Sequence, residues 1–104
     1  MALTQLKYEF SPATPRALPV PAVHFGVVGS GDMEVIIENK DLGGKAVATV
    51  VTPVTGFDHV WEMVLRRFMD ECQLGNVAIS INDNNATPVV VSLRLRQALL
   101  EIEG

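Results

Sequence analysis

A change in hydrophobic periodicity near the middle of the chain restricts the fold more than any other feature of the sequence. Residues 45–54 are apolar and rich in β-branched side chains, which is typical of a strand, and Pro53 must lie at its end or on a sheet edge. From Phe57 to Cys72 the apolar residues recur at alternating steps of three and one, which predicts an amphipathic helix. Residues 76–83 alternate between apolar and polar and predict another strand. A strand, a helix and a strand in this order predict a βαβ unit with parallel strands and a right-handed crossover.

The rest of the chain predicts three more strands. Apolar and polar residues alternate over residues 3–10, and the short apolar runs at 23–29 and 33–38 are also strand-like. The turn formers of residues 39–44 allow the strand at 33–38 to pair with the strand at 45–54 as an antiparallel hairpin. We therefore expect a mixed sheet, in which some neighbouring strands are parallel and others antiparallel.

Two further segments complete the predicted domain. Residues 11–22 contain most of the prolines, so we expect an extended connector that lies over the domain or over a neighbouring subunit. Thr87 and Pro88 are a typical N-cap and first residue of a helix, which we expect to run to about Ile102. Together the elements predict a single α+β domain over residues 1–104. It is a two-layer sandwich in which two amphipathic helices cover one face of a mixed sheet of about five short strands.

Composition and charge disfavour several classes of function. With 48% hydrophobic and 19% charged residues, the chain of 104 residues can form one packed core. Its net charge of −4 argues against nucleic acid as a partner, because phosphate binding needs a basic surface. No apolar run approaches the length of about 20 residues that spans a bilayer, and residues 1–10 do not resemble a secretory signal. The single cysteine, Cys72, cannot form an internal disulfide, so we expect a cytoplasmic protein without a membrane partner.

The sequence offers few residues for catalysis. His24 and His59 lie in no recognisable motif, and Cys72 is expected to pack as a small hydrophobe at the edge of its helix. No cluster of cysteine and histidine has the spacing of a metal site. Arg94 and Arg96 are expected on a solvated helix face. The chain therefore lacks the components of a stand-alone enzyme, and we expect neither catalytic nor metal-binding residues.

One accessible serine is the unusual feature. Ser30 lies between Gly29 and Gly31, where two strand-like runs meet, and Asp32 supplies a local hydrogen-bond acceptor. The glycines allow a tight turn and leave room for a large molecule to reach the serine. A nucleophile elbow is excluded because a strand follows the serine, and a phosphate-binding loop because its Gly-Lys-Ser/Thr ending is absent. Composition alone favours an ordinary glycine-rich turn with a solvated serine.

Two parts of the sequence resemble one protein family. Residues 28–35, Val-Gly-Ser-Gly-Asp-Met-Glu-Val, resemble the modification segment of the acyl carrier protein, or delta subunit, of malonate decarboxylase. Residues 79–83, 86–88 and 93–99 are similar to the C-terminal strand, turn and helix of that family. The Ser-Gly-Asp turn and the Arg-x-Arg-x-x-Ala-Leu helix also resemble the carrier subunit of citrate lyase. The chain departs from the family in its proline-rich lead-in and at Asn85, where glycine is expected.

The resemblance implies a carrier that catalyses no reaction itself. Ser30 would be attached through a phosphodiester to 2'-(5''-phosphoribosyl)-3'-dephospho-CoA, whose terminal thiol would hold acetyl and malonyl thioesters. Gly29, Gly31 and Asp32 would form the supporting turn around this cofactor-binding serine. The implied partners are a prosthetic-group transferase, an acetyl/malonyl transferase subunit and the decarboxylase subunits.

Three alternatives remain. The chain could be the acyl carrier of a complex similar to citrate lyase. It could also be a module that binds a partner protein without covalent modification, in which case the turn is only a turn. A small enzyme that uses Ser30 is disfavoured, because the sequence places no base beside that serine.

Overall fold

The computed structural model describes residues 3–26, 29, 31–86 and 88–103, which form one mixed sheet and two helices. The strands are β1 (Thr4–Phe10), β2 (Ala22–Gly26), β3 (Asp32–Asn39), β4 (Ala46–Thr52) and β5 (Val77–Asn84). The helices are α1 (Asp58–Cys72) and α2 (Pro88–Glu103). The predicted strands and helices are confirmed within this part of the chain. Val27 and Val28, expected in the second strand, and the expected N-cap Thr87 lie outside the described residues.

The strand order shows how the sheet combines both kinds of pairing. The order is β1-β4-β5-β3-β2, so β5 lies at the centre. The strands β4 and β5, which flank α1 in sequence, are parallel, as the βαβ pattern predicts. The other three neighbouring pairs are antiparallel. Pro53 follows the last residue of β4, which allows β4 to be an interior strand without losing a ladder hydrogen bond to proline.

The predicted hairpin between the third and fourth strands is wrong, because β5 lies between them. Residues 40–45, which connect β3 to β4, instead wrap around Asn76, the residue before β5. Asn76 Oδ1 accepts hydrogen bonds from Leu42 N and Gly44 N at 3.0 and 2.8 Å. The backbone N–H and C=O of Asn76 pair with the two ends of the same connection. This connection can pass an intervening strand, since neighbouring strands lie only about 4.8 Å apart.

The core lies between the helices and one face of the sheet. Residues that pair directly on neighbouring strands, such as Ala48, Ile79 and Ile37, are all buried, so the buried positions share a face. The helices contribute Trp61, Leu65, Phe68, Met69 and Cys72 from α1, and Val91, Leu95, Ala98, Leu99 and Ile102 from α2. The two-layer α+β sandwich with both helices on one face is therefore confirmed. Neither of the described helices is long and apolar enough to cross a membrane.

The proline-rich connector packs against the C-terminal end of α1. Arg16 N–H donates to Gln73 O at 2.8 Å, and Gly75 N–H donates to Arg16 O at 2.9 Å. Leu18 of the connector is buried in the core. A Cβ atom at Gly75 would come within 2.6 Å of Pro15 Cβ, so glycine is needed there for space. The sequence did not decide whether the connector lies over this domain or over a neighbouring subunit. The structure shows that it packs on this domain.

Candidate functional site

A four-residue turn leads into β3. Asp32 N–H donates to Gly29 O at 3.0 Å, which is the hydrogen bond that closes a β-turn. Gly31 is the third residue of this turn and has a φ of +75°, a conformation that favours glycine. Gly31 N–H also donates to Asn84 O at 2.8 Å, so the turn is attached to the end of β5. Ser30 lies outside the described residues, and its role as an attachment site stays a prediction.

Asp32, the last residue of the turn, forms a bidentate ion pair with Arg94 of α2. Arg94 Nη2 donates to Asp32 Oδ2 at 2.7 Å, and Arg94 Nε donates to Asp32 Oδ1 at 3.0 Å. The remaining guanidinium nitrogen, Nη1, donates to Gln97 Oε1 at 3.0 Å. Met33 N–H donates to Asp32 Oδ1 at 2.7 Å. The side chains of Arg94 and Asp32 are only 23% and 22% exposed, so the pair is partly shielded from solvent.

The ion pair fixes the charge of both partners. The hydrogen bonds from Arg94, and then the one from the Met33 amide, hold the pKa of the Asp32 carboxyl below its ordinary value. The hydrogen bond to Asp32 raises the pKa of Arg94. Asp32 is therefore a carboxylate at neutral pH. A bidentate pair of this kind restricts orientation as well as distance, because both guanidinium N–H groups must align with both oxygens.

Gly26, the last residue of β2, leaves the space through which Arg94 reaches the turn. Its φ is +82°. A Cβ atom built there would clash with the backbone oxygen of Met33 and would lie 3.1 Å from Arg94 Nε. A larger residue would therefore strain the backbone and press on the guanidinium group.

Sequence reasoning missed the position of Arg94. Both Arg94 and Arg96 were expected on a solvated helix face, and only Arg96 is exposed. Side chains two residues apart on a helix point about 200° apart, so two arginines in an Arg-x-Arg pattern lie on nearly opposite sides of the helix and need not share the same surroundings. This spacing was the available signal. The partner could not be read from the sequence, because Asp32 lies 62 residues before Arg94.

A buried carboxylate supports the loop between β5 and α2. Asp83 is 7% exposed, and its Oδ2 accepts a hydrogen bond from the Thr52 hydroxyl at 2.8 Å. Its Oδ1 accepts from Ala86 N at 2.9 Å. In the same loop Asn85 has a φ of +63°, a region that asparagine enters more readily than most residues. This conformation gives a physical reason for glycine at that position, and it shows that asparagine can replace it.

The two histidines and the cysteine that were considered for catalysis lie outside the turn. His24 Nε2 lies 3.0 Å from Glu34 Oε2, and Asn82 Nδ2 donates to Glu34 Oε1 at 2.9 Å. His59 is exposed on α1. Cys72 is buried, and burial raises the pKa of its thiol, which keeps it protonated at neutral pH. Within the described ranges, no three histidine, cysteine or acidic side chains are grouped so that they could hold a metal ion.

The turn is suited to presenting a side chain to another molecule. Gly31 is exposed, and no atom of the described residues beyond its chain neighbours lies within 4 Å of a Cβ atom built there, so this side of the turn is open. The carboxylate closest to Ser30 in sequence, Asp32, is engaged by Arg94 and by the Met33 amide. Asp32 is therefore not free to act as a base for a hydroxyl at residue 30.

Comparisons with known proteins agree with one another. Residues 21–102 match the family model described as Malonate decarboxylase delta subunit (MdcD), an acyl carrier protein model. The chain is 54% identical over 102 residues to the malonate decarboxylase acyl carrier protein of Malonomonas rubra, which covers 98% of this chain and 91% of that protein. It is 41% identical over 99 residues to the protein of the same name from Stenotrophomonas maltophilia, with 95% and 93% covered.

A solved structure shares the fold. The chain is similar to one chain in the crystal structure of a Pseudomonas malonate decarboxylase hetero-tetramer in complex with malonate, with a TM-score of 0.70 and 34% sequence identity. The similarity covers 98% of this chain and 99% of that chain. The likeness therefore extends over the whole α+β sandwich and is not confined to one motif.

Proposed function

Because the chain belongs to the malonate decarboxylase delta subunit family, whose members are acyl carrier proteins, we propose that Ser30 is its attachment site for an acyl-bearing prosthetic group. The observation that supports this most is the turn from Gly29 to Asp32. It is closed by its own backbone hydrogen bond, attached to β5 through Gly31, and open to approach at Gly31. An attachment site needs this combination of order and access, since the modifying enzyme must bind the turn in one conformation.

The prosthetic group is 2'-(5''-phosphoribosyl)-3'-dephospho-CoA, joined to Ser30 through a phosphodiester. The chain's residues fit such a group, because the space beside Gly31 is open and the acidic side chain of Asp32 is neutralised by Arg94. An unpaired carboxylate two residues from a phosphodiester would instead repel it. When attached, the group supplies a terminal thiol that forms thioesters with acetyl and malonyl groups.

The proposed partners are those that the resemblance to the malonate decarboxylase delta subunit family implies. The thiol of Cys72 is buried, and Asp32, the carboxylate of the turn, is engaged by Arg94 and the Met33 amide. Acyl exchange is assigned to an acetyl/malonyl transferase subunit, loss of carbon dioxide to decarboxylase subunits, and attachment to a prosthetic-group transferase. A tethered thioester meets each partner at a high effective concentration, which is the advantage of a carrier that is not itself an enzyme. The similar solved chain comes from a hetero-tetramer, which supports a multi-subunit setting.

The two other candidate functions have less support. The relatives described above are carriers of malonate decarboxylase, which favours a malonate system over one similar to citrate lyase. A module that binds its partner without modification would not need the open turn, because docking can use any exposed surface.

Intact-mass measurement tests the proposal. The wild-type chain is produced together with its prosthetic-group transferase and the cofactor precursor, and the modified peptide is located by proteolysis and fragmentation. We expect one discrete added mass on the peptide that contains Ser30, complete loss of that mass in Ser30→Ala, and no loss in the control Ser92→Ala. Ser92 is an exposed serine on α2, so the control removes a hydroxyl without touching the turn. A wild-type chain that stays unmodified under these conditions contradicts the proposal.

A further inference from the structure

We propose that Arg94 is a positioning residue for the modification of this chain. Through Asp32 it holds the turn from Gly29 to Asp32 in the conformation that the prosthetic-group transferase recognises. This inference rests on the proposed function and adds to it a residue on α2, which is distant in sequence from the turn.

Each of the three guanidinium nitrogens of Arg94 donates a hydrogen bond at this position. Two of its nitrogens bind the two oxygens of Asp32, and the third binds Gln97 of the same helix. The planar group therefore has a fixed orientation, unlike an exposed arginine that samples many rotamers. Gly26 adds a second constraint, because the side chain of Arg94 passes directly beneath the position where a Cβ atom would be. Together these contacts connect β2, β3 and α2 at the end of the sheet where the turn lies.

The connection reaches the turn through one residue. Asp32 is at once the last residue of the turn and the first of β3, and its N–H closes the turn by donating to Gly29 O. Its carboxylate binds Arg94 and the Met33 amide. Aspartate side chains that lack a partner readily bind nearby backbone N–H groups and stabilise other local turns. Removal of Arg94 therefore releases a carboxylate that competes for the amides of this same segment.

A turn with several conformations is a poorer substrate for modification. The transferase must then order the segment when it binds, and the cost of this ordering lowers its apparent affinity or its rate. The nucleophilic oxygen must also lie close to the reacting phosphorus, and displacement by about 1 Å can reduce a rate on the order of 100-fold. Arg94 acts on the reaction only through Asp32, without contact with the reacting atoms.

The chain provides a matched control two residues away. Arg96 is on the same helix, carries the same charge and is exposed. Among the contacts that the structure gives for the described residues, Arg96 has no hydrogen bond or ion pair. Replacing Arg96 changes the net charge by the same amount as replacing Arg94 and leaves the ion pair intact. It therefore separates the positioning effect from any general attraction between arginine and the transferase or its phosphate-bearing substrate.

The experiment measures kcat and KM of the prosthetic-group transferase with each carrier variant as substrate. We expect kcat/KM to fall between about 10-fold and 100-fold for Arg94→Gln, and to stay within twofold of wild type for Arg96→Gln. Arg94→Lys should lie between them, because an ammonium group cannot bind both oxygens in the same bidentate geometry. Asp32→Asn should also be impaired. The double variant Asp32→Asn with Arg94→Gln should be no slower than the slower single variant, because the two residues act as one unit.

A second readout follows the turn itself. Amide hydrogen exchange at Gly31 and Asp32 should accelerate in Arg94→Gln and stay unchanged in Arg96→Gln, since these two N–H groups bind Asn84 O and Gly29 O in the intact turn. Far-UV circular dichroism verifies the fold. If Arg94→Gln does not fold, the nearly isosteric Asp32→Asn decides the question by the same two measurements.

Several results would overturn the inference while leaving the proposed function intact. Equal kcat/KM for wild type, Arg94→Gln and Asp32→Asn would do so, as would equal losses in Arg94→Gln and Arg96→Gln. Additive losses in the double variant would show that the two residues act separately. Failure of the wild-type chain to be modified at all would instead count against the proposed function.

Discussion

The two ends of the central strand β5 are stabilised by different kinds of interaction. At its N-terminal end the neutral side chain of Asn76 accepts hydrogen bonds from the β3–β4 connection, and the backbone at Gly75 packs closely against the proline-rich connector. At its C-terminal end the buried side chain of Asp83 accepts hydrogen bonds from Thr52 and from the loop before α2, and Asp32, the last residue of the turn, forms an ion pair with Arg94. The first end depends on close backbone packing, and the second depends on charged side chains.

The difference follows from what each end must allow. Close backbone packing excludes other molecules, so it suits the end that is remote from the turn. The proposed function requires an accessible turn, and the open space beside Gly31 means that close packing does not order it there. Hydrogen bonds to a carboxylate need to contact a segment on only one side to order it, so the other side of the segment can stay open to solvent. In this arrangement the order of the turn depends on few side chains, and one of them, Asp32, can be protonated in acid.

The largest expected effect is at the packed end. In Gly75→Ala the added methyl group would lie 2.6 Å from Gly44 O and from Pro15 Cβ, and a backbone oxygen cannot move aside without disturbing the loop around Asn76. We expect a loss of about 3 kcal/mol in the free energy of unfolding, as for other overpacked positions. Urea denaturation followed by circular dichroism measures this loss.

Asparagine substitutions at Gly31 and Gly75 test whether each glycine is needed for its backbone conformation or for space. Gly31 is needed for its φ of +75°, whereas Gly75 is needed for space. Gly31→Ala should cost about 1–2 kcal/mol through backbone strain. Gly31→Asn should recover part of that loss, because asparagine enters the left-handed region more readily. Gly75→Asn should recover nothing relative to Gly75→Ala. If asparagine is more stable than alanine at both positions or at neither, then it is wrong that Gly31 is needed for its backbone conformation and Gly75 for space.

The next effect concerns the buried carboxylate. Thr52→Val preserves the shape of the side chain and removes the hydroxyl that donates to Asp83 Oδ2 and accepts from Val54 N. We expect a loss of about 2 kcal/mol in unfolding free energy, since one buried carboxylate oxygen and one amide then lack this partner. Thr52→Ser keeps the hydroxyl and is the matched control. A smaller loss in Thr52→Val than in Thr52→Ser would show that the methyl group of Thr52 matters more than its hydrogen bonds.

The sequence predicted what depends on local periodicity. The strands at 45–54 and 76–83 and the helix between them were identified because their hydrophobic periods change from two to 3.6 and back, and a βαβ unit has one preferred arrangement. The same local reasoning failed for the hairpin, because nothing near residues 39–44 indicates that Asn76, more than thirty residues later, binds the connection. Strand order depends on such distant contacts.

In the candidate site, too, the local feature was predicted from the sequence and the distant contact was not. Glycine on both sides of Ser30 predicted the turn, and the described residues Gly29, Gly31 and Asp32 do form it. The ion pair with Arg94 was not predicted, because a pattern on one helix does not identify a carboxylate 62 residues earlier. The serine itself was identified by resemblance together with its glycine neighbours, and its attachment role awaits the mass measurement.

The smallest expected effect distinguishes the two ends by their response to acid. The pKa of the Asp32 carboxyl is below its ordinary value of 3.8, first because of the hydrogen bonds from Arg94. A carboxyl with a lowered pKa in the folded state adds stability above its unfolded pKa, and this contribution is lost as the pH falls through the folded pKa. The difference in Tm between wild type and Asp32→Asn should therefore be constant above about pH 5 and shrink as the pH falls below the ordinary value of 3.8. Other carboxyl groups are shared by both proteins and largely cancel in this difference.

Asn76→Ala is the matched comparison at the other end of β5. The hydrogen bonds of Asn76 are neutral, so this substitution should lower Tm by the same amount at neutral pH and in acid. Added salt should likewise reduce the effect of Asp32→Asn and leave that of Asn76→Ala unchanged, because salt screens only the charged pair. Parallel pH profiles for the two variants would mean that the charge of Asp32 contributes nothing to the order of the turn. In that case its carboxyl group would act only as a neutral acceptor, as an asparagine oxygen does.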